Sequence, residues 1–209
     1  MVLARVWCAP KMPDPTVDTQ PLAGLTIGHL TLAGRVLAAP MAGVSDQPYR
    51  TLARRYGAAL AVSEMVTSAP DLRQSEKSRR RTTHDGETGP ISVQLLGADP
   101  LQMASAAREN VARGAQIIDI NMGCPAKKIV HSQHGSALMR EPDLACRIIE
   151  AVREASGLEV SVKTRLGWSD ASELIPFAKR LESAGASLLT IHGRTYRQAF
   201  KGEAGWDPI

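Results

Sequence analysis

Gln116-Ile-Ile-Asp-Ile-Asn-Met-Gly-Cys-Pro125 runs from an apolar stretch straight into a sharp turn. The first half reads as a strand. Gly123 permits unusual backbone angles and Pro125 stops the strand from continuing, so the turn is placed by chemistry rather than by chance. Cys124 sits between them, at the strand's C-terminal end. In a barrel of parallel strands that end is where reactions are carried out. Cys124 is therefore the first candidate for a catalytic group.

Similar apolar runs begin near Val36, Leu60, Pro90, Gln116, Leu158 and Ser187. Their spacing brackets the roughly 31 residues per unit of a (β/α)8 barrel of about 250 residues. Helical patterns fill the gaps. Leu174, Phe177, Ala178 and Leu181 follow i, i+3, i+4, i+7 spacing, and Leu144, Ile148 and Val152 recur every fourth residue. Asp99-Pro100 suits the start of a helix through Val111, with Asp at the cap and Pro in the first turn. Leu25 to Leu32 alternates around Gly28 as a small hairpin would. Strands alternating with helices imply parallel pairing and right-handed crossovers. A doubly wound sheet is the rival, but there is no GxGxxG after the first strand, and polar motifs end every strand. The expected fold is α/β, a (β/α)8 TIM barrel of which about six βα units are present, with Trp206 to Ile209 opening a sixth helix. Six units leave sheet edges unpaired, so the chain is expected to be a fragment.

The chain has 209 residues, 44% of them hydrophobic but only 4% aromatic, which favours an aliphatic core in one domain. Residues 1–20, with Pro10, Pro13 and Pro15, read as a flexible leader, and 21–209 as a partial barrel. Cys8 in that leader reads as incidental, and Cys146 as core on the apolar side of a helix. Three cysteines without a CxxC argue against a disulfide framework or a zinc site and fit a reducing cytoplasm. No apolar run approaches the ~18 residues of a membrane span. The net charge of +4 is compatible with an anionic partner.

Each strand end carries polar groups that have both a functional and an ordinary reading. Ala39-Pro-Met-Ala-Gly-Val-Ser-Asp46 offers small residues that let a flat ligand approach the backbone, or is a plain βα turn with Ser45 or Asp46 as helix cap. Glu64 orients a ligand or, the simpler reading, faces solvent. Gln94 lies in an otherwise apolar strand and needs a partner, because an unpaired buried polar group costs ~1–3 kcal/mol. A ligand edge or a neighbouring backbone would supply one. Lys163 at the fifth strand's end meets an anion, or forms a surface ion pair. His192 at the sixth donates to a ligand, or is a satisfied structural histidine. His131 and His134 have i, i+3 spacing but lack a third metal ligand.

Basic residues cluster after three strand ends: Arg73, Lys77, Arg79, Arg80 and Arg81; Lys127 and Lys128; Arg194, Arg197 and Lys201. One such cluster is usually a solvated face. Three after strand ends would ring one mouth of a barrel with positive potential, which favours a polyanion beside the site.

Taken together, the ordered motifs resemble the tRNA-dihydrouridine synthases, most closely the bacterial B-type branch. They are Ala39-Pro-Met-Ala-Gly-Val-Ser-Asp-Gln-Pro-Tyr-Arg50, Ser63-Glu-Met65, Val93-Gln-Leu-Leu-Gly97, Asp119-Ile-Asn-Met-Gly-Cys-Pro-Ala-Lys-Lys128, Gly135-Ser-Ala-Leu-Met139, Val162-Lys-Thr-Arg-Leu-Gly-Trp168 and Ile191-His-Gly-Arg-Thr195. The resemblance runs from about residue 22 to 209. It implies that Pro40, Met41 and Ala42 line an FMN ring, and that Gln94 and Lys163 contact the flavin. Lys163 would support negative charge on the reduced ring. Cys124 would be the proton donor and Asn121 would help hold the uracil. Arg165 and His192 would sit near flavin and substrate, and the basic clusters add Lys127, Lys128 and Arg194 as expected contacts to the tRNA. It also implies NADPH or NADH as reductant and a monomeric full-length form in the cytoplasm. Two departures stand out. Ile129 to His134 replaces a glycine-rich or basic stretch of the family, and the strand-seven and strand-eight segments and the C-terminal helical domain of the family are not in this sequence.

The implied chemistry fits the residue types. Reducing uracil's 5,6-double bond needs a hydride at C6 and a proton at C5. Reduced FMN supplies the hydride, while the protein supplies position and charge. The acid must be protonated near pH 7 yet able to release its proton, and a thiol, ordinarily titrating near ~8.5, meets that condition. Cys124 is thus read as a general acid rather than a nucleophile. No separate dinucleotide fold is visible, so ping-pong turnover in one site is expected. A dihydroorotate-dehydrogenase-like flavin barrel is the rival enzyme reading, and a non-catalytic RNA-binding remnant is the rival outside enzymes.

Overall fold

The computed structural model describes residues 2–5, 24–73 and 75–209. After β1 (Val2–Arg5) and the hairpin β2 (Thr26–Ile27) and β3 (Leu30–Thr31), strands and helices alternate. They run β4 (Leu37–Ala38), α1 (Gln47–Arg55), β5 (Leu60–Ala61), β6 (Val66–Thr67), α2 (Pro70–Arg73), α3 (Glu76–Arg81), β7 (Ser92–Leu96) and α4 (Pro100–Ala112). Then come β8 (Ile117–Asn121), α5 (Lys127–His131), α6 (Pro142–Ser156), β9 (Glu159–Arg165), α7 (Leu174–Ser183) and β10 (Ala186–His192). All six expected strands are present.

The helix ends follow local chemistry. Asp99 caps α4 by accepting from the N–H groups of Leu101 and Gln102, with Pro100 in the first turn. Asp46, not Ser45, caps α1. α6 stops at Gly157, whose φ of 64° closes the helix in the left-handed region. Asp170 and Glu173 form a reciprocal capping box ahead of α7.

β6, β7, β8, β9 and β10 lie side by side in chain order, each pair parallel. β4 pairs with β5, and a bridge from Val62 to Ser92 carries the sheet on to β7. This unbroken order is that of a barrel, whereas a doubly wound sheet reverses order at a switch point. Among the described residues no pairing joins the two ends of the sheet.

The outer edge of β10 is not bare. β1 pairs with it in parallel, Val2 opposite Leu188 through Arg5 opposite Ile191. The expected flexible leader differs at these four residues, which take up backbone groups that an edge strand would expose. Cys8 and the three prolines lie outside the described residues. Trp206 to Ile209 also differs from expectation. It is a turn closed by the Ile209 N–H donating to the Trp206 carbonyl at 3.0 Å, not a helix.

β7 and β8 are buried along their whole length, as strands covered on both faces must be. Alternate residues divide the two faces. Ile118, Ile120, Val160, Val162 and Leu189 face Met103, Ile148, Ile149, Val152 and Leu181 of α4, α6 and α7. Cys146, half-buried on α6, packs at the margin of this cluster. On the inner face, Ile117, Leu188, Leu60 and Val62 pack against Ile27 and Leu32 of the hairpin, which fills the barrel's N-terminal end. Full burial of each such side chain is worth about 1.5–3 kcal/mol. With its lower layer apolar and plugged, the inner face turns polar towards the C-terminal ends.

Candidate active site

Three inward residues lie in register across adjacent strands: Gln94 beside Asp119, and Asp119 beside Ser161. The Ser161 hydroxyl donates to Asp119 Oδ1 at 2.5 Å, and Gln94 Nε2 donates to Asp119 Oδ2 at 2.6 Å. One layer higher, Asn121 is in register with Lys163. Asn121 Nδ2 donates to Gln94 Oε1 at 2.8 Å. Asn121 Oδ1 accepts from the backbone N–H of Gly123 at 3.2 Å and of Cys124 at 3.0 Å. A continuous chain of hydrogen bonds thus runs from a buried carboxylate to the turn that carries the half-buried Cys124 thiol. Gln94's amide finds its partners in Asp119 and Asn121, both side chains of the adjacent strand β8.

The turn is braced from two further sides. Arg165, 3% exposed, donates from Nε to the Gly123 carbonyl at 2.7 Å. Its Nη1 donates to the carbonyls of Ala199 at 2.8 Å and Thr195 at 3.2 Å, and to His192 Nδ1 at 3.3 Å. On the other side the chain returns at Gly135. The Ser136 N–H donates to the Cys124 carbonyl at 3.1 Å. A Cβ at residue 135 would stand 2.9 Å from that carbonyl, and its φ of 60° is left-handed, so only glycine fits. Ser45 and Glu64 order the loop after β4. The Ser45 hydroxyl accepts from the Met41 N–H at 2.8 Å, and Glu64 accepts from the Gly43 N–H at 2.6 Å. Glu64 also pairs with Arg81 at 3.4 Å. The solvent-facing reading of Glu64 is thereby corrected: it is buried because it satisfies a backbone donor and a guanidinium.

The charges in this cluster are strongly perturbed. Burial pushes the Asp119 carboxyl up to about 6, against the pull of its bonds to Ser161 and Gln94 and of the Lys163 charge. Burial pulls Lys163 down to about 8, opposed by Asp119 and reinforced by Arg165. His192 falls to about 4 through burial and through Arg165, Lys163 and Arg194. Near neutral pH the site therefore holds a carboxylate, an ammonium and a neutral imidazole. Because a guanidinium N–H can only donate, His192 Nδ1 accepts, and its proton resides on Nε2.

The structure thus brings Gln94, Asn121, Cys124, Lys163, Arg165 and His192 to the C-terminal ends of four adjacent strands. Pro40, Met41 and Ala42 lie in the loop beyond β4, Met41 exposed. Lys127 and Lys128 are exposed at the start of α5. Arg194 is half-buried and donates twice to the Gly202 carbonyl. Among the other basic residues, Arg79, Arg80, Arg197 and Lys201 are exposed. Arg73 and Arg81 are ion-paired with Glu109 and Glu64. The Lys77 side chain lies outside the described residues. His131 is exposed, and burial lowers His134. Among the described residues no group of three or more His, Cys, Asp or Glu could hold a metal ion. Sequence reasoning missed Asp119 and Ser161. The available signal was a carboxylate two residues before Asn121 in an apolar strand, hence on the same face.

The site residues fit a flavin in kind. Asn121, Gln94 and the His192 Nε2–H present amide and ring polar groups. The half-buried Lys163, in register with Asn121, adds a positive charge at the same level.

The family model described as dihydrouridine synthase (Dus) matches residues 36–209. The chain is 48% identical over 186 residues to tRNA-dihydrouridine synthase B of Vibrio vulnificus (strain CMCP6), covering 88% of this chain and 58% of that protein. It is 50% identical over 184 residues to the protein of that name from Pseudomonas aeruginosa, covering 88% and 55%. The chain therefore spans a little over half the length of these relatives. Among solved structures, morphinone reductase in complex with tetrahydroNAD superposes with a TM-score of 0.58 at 15% identity, over 86% of this chain and 78% of that one. A truncated 3-deoxy-D-arabino-heptulosonate 7-phosphate synthase from Thermotoga maritima superposes with a TM-score of 0.51 at 14% identity, over 90% and 64%. At such identities the likeness is one of fold.

Proposed function

The chain belongs to the dihydrouridine synthase family, and from that membership we propose that it reduces the 5,6-double bond of uridine in tRNA to dihydrouridine, with FMN as cofactor and NADPH or NADH as reductant. The observation that carries this reading is the bracing of the Cys124 turn by Asn121 and Arg165 beside the half-buried Lys163. FMN, if held by these residues, would supply the hydride for C6 of the base. Pro40, Met41 and Ala42 would provide a small surface for its ring, and Gln94, Lys163 and His192 its polar contacts. Lys163 brings a positive charge to where negative charge develops, without needing to reorganise. Cys124 delivers the C5 proton from Sγ. Arg165, which interacts electrostatically with Cys124, meets the negative charge left on sulfur. Asn121 orients the base while holding the turn.

The exposed Lys127 and Lys128, with Arg79, Arg80, Arg197 and Lys201, all follow strand ends and suit a phosphate backbone. Among the described residues no helix is long and apolar enough to cross a membrane, and we place the reaction in the cytoplasm, where tRNA is processed. Purified protein should show an oxidised-flavin spectrum that NADPH bleaches and that unmodified tRNA restores, with dihydrouridine appearing in the RNA. Protein that binds tRNA but takes up no added FMN would instead support an RNA-binding remnant.

A further inference from the structure

Asp119 is 2% exposed, and the reaction as proposed gives it no part. Burying a carboxylate is costly unless it is paired and hydrogen-bonded. The neighbouring positions Val93, Ile118 and Ile120 show that aliphatic side chains pack well in these strands. Asp119 instead stands at the centre of the polar row, receiving Ser161 from one side and Gln94 from the other.

Its place relative to Lys163 follows from the sheet. Asp119 is in register with Ser161, and Lys163 is two residues further along the same strand, on the same face. Adjacent strands lie about 4.8 Å apart, and two residues add about 6.6 Å along the strand, a span a lysine side chain can cross. The other charged or titratable groups facing Lys163 are Arg165 on its own strand and His192 at the end of β10, with Arg194 beyond β10 acting on His192. Arg165 and Arg194 are cationic and His192 is neutral, so Asp119 is the counter-charge in this group.

We propose that Asp119 is a positioning residue for this site: it holds Lys163 as an ammonium and anchors the Gln94–Asn121 amide chain that ends on the Cys124 turn. An ionised carboxylate only accepts, so Gln94 must turn Nε2 towards it. Gln94 Oε1 then faces Asn121, which must turn Nδ2 to it and leave Oδ1 for the two N–H groups of the turn. The donors of the turn and the acceptor of Asp119 thus select the same direction from opposite ends. Burial and Arg165 both drive Lys163 towards its neutral form, and Asp119 opposes them. The relevance to turnover rests on the flavin reading above, whereas the charge relationship does not.

Asp119→Asn separates the two contributions. It keeps an acceptor for Gln94, turns its own amide to Ser161 and removes only the charge. In flavin-free protein carrying 13Cε-labelled lysine, the Lys163 resonance is identified by its loss in Lys163→Met. Its titration midpoint, about 8 in the parent, should fall by roughly one unit or more in D119N. In FMN-loaded protein, the pH profile of flavin reduction by NADPH should lose its acid limb in D119N. In Ser161→Ala, which keeps the carboxylate but removes a donor, that limb should move to higher pH. An unmoved Lys163 midpoint in folded D119N would overturn the proposal. So would an unmoved acid limb in S161A, which decides the matter if D119N does not fold. The lysine titration needs neither flavin nor tRNA, so it succeeds or fails independently of the proposed reaction.

Discussion

Arg165 donates to the carbonyl of Gly123 at 2.7 Å, so the end of the fifth barrel strand directly grips the turn that presents Cys124. The same guanidinium reaches Thr195 and Ala199 in the loop after the sixth strand, and its carbon lies 5.5 Å over the exposed Phe200 ring. One planar cation therefore coordinates two loops across the mouth.

Arg165→Lys should not substitute for it. A lysine cannot present the fork geometry, and it leaves buried carbonyls unpaired at ~1–3 kcal/mol each. Chemical denaturation should show a loss of that order, together with at least a tenfold loss of dihydrouridine formation. A variant as stable and active as the parent would show that the clamp is dispensable.

Cys124→Ala should leave the fold intact. The turn is held through backbone N–H groups and the Gly123 carbonyl, not through the thiol. FMN binding and reduction by NADPH should persist, while dihydrouridine formation falls by ~10²–10⁴-fold, the usual worth of a general acid. Single-turnover assays with unmodified tRNA measure this directly, and an unchanged rate would remove Cys124 from the proton-donor role.

His192 and Asp119 should act oppositely on acid stability. His192 is lowered from 6.5 to about 4, so between those values the unfolded chain binds more protons and stability is lost as pH falls. Asp119 is raised from 3.8 to about 6, so in that window the folded chain binds more protons and stability is regained as pH falls. His192→Gln should flatten the decline below pH ~6.5, and D119N should steepen it. Urea midpoints measured across that range test both signs.

Glu87→Gln should be severely destabilising although it lies away from Cys124. Glu87 receives Arg50 through both carboxylate oxygens, with side-chain exposures of 3% for Arg50 and 1% for Glu87. Arg50 also donates to the carbonyls of Ser45 and Thr83, pinning the loop after β4. Breaking a buried pair by neutralising one partner costs about 3–5 kcal/mol, while replacing both with apolar residues often costs less. Comparing Glu87→Gln with the double variant Arg50→Met/Glu87→Leu by thermal melts separates charge from packing.

Lys127→Ala with Lys128→Ala should weaken tRNA binding most at low salt. The salt dependence should flatten by roughly one unit of slope for each lysine that meets a phosphate. Affinity titrations at several salt concentrations give the slopes. Identical slopes for variant and parent would place the RNA elsewhere.

Much of the architecture was legible in local patterns. Asp99-Pro100 announced the start of α4, Gly28 the hairpin, and the fourfold spacing of Leu144, Ile148 and Val152 the buried face of α6, because caps, turns and amphipathic periods are written within a few residues of where they act. The strand ends were legible for the same reason, and with them Gln94, Cys124, Lys163 and His192. The turn at Trp206 to Ile209 and the β1 strand were not. A short segment takes its conformation from what it packs against, and β1 is a strand because the edge of β10 offers it a ladder.

The sequence by itself determined the order of strands and helices, the polar residue at each strand end and the cysteine turn, since these depend on residue type and short spacing. Tertiary structure alone decided that Gln94 meets Asp119 rather than a backbone, that Arg165 finds its acceptors some thirty residues away, and that His192 is neutral while Lys163 is charged. Lateral register brings together side chains that are 25 to 42 positions apart in the chain. Burial then sets their protonation by removing the water that would otherwise hold each at its ordinary value.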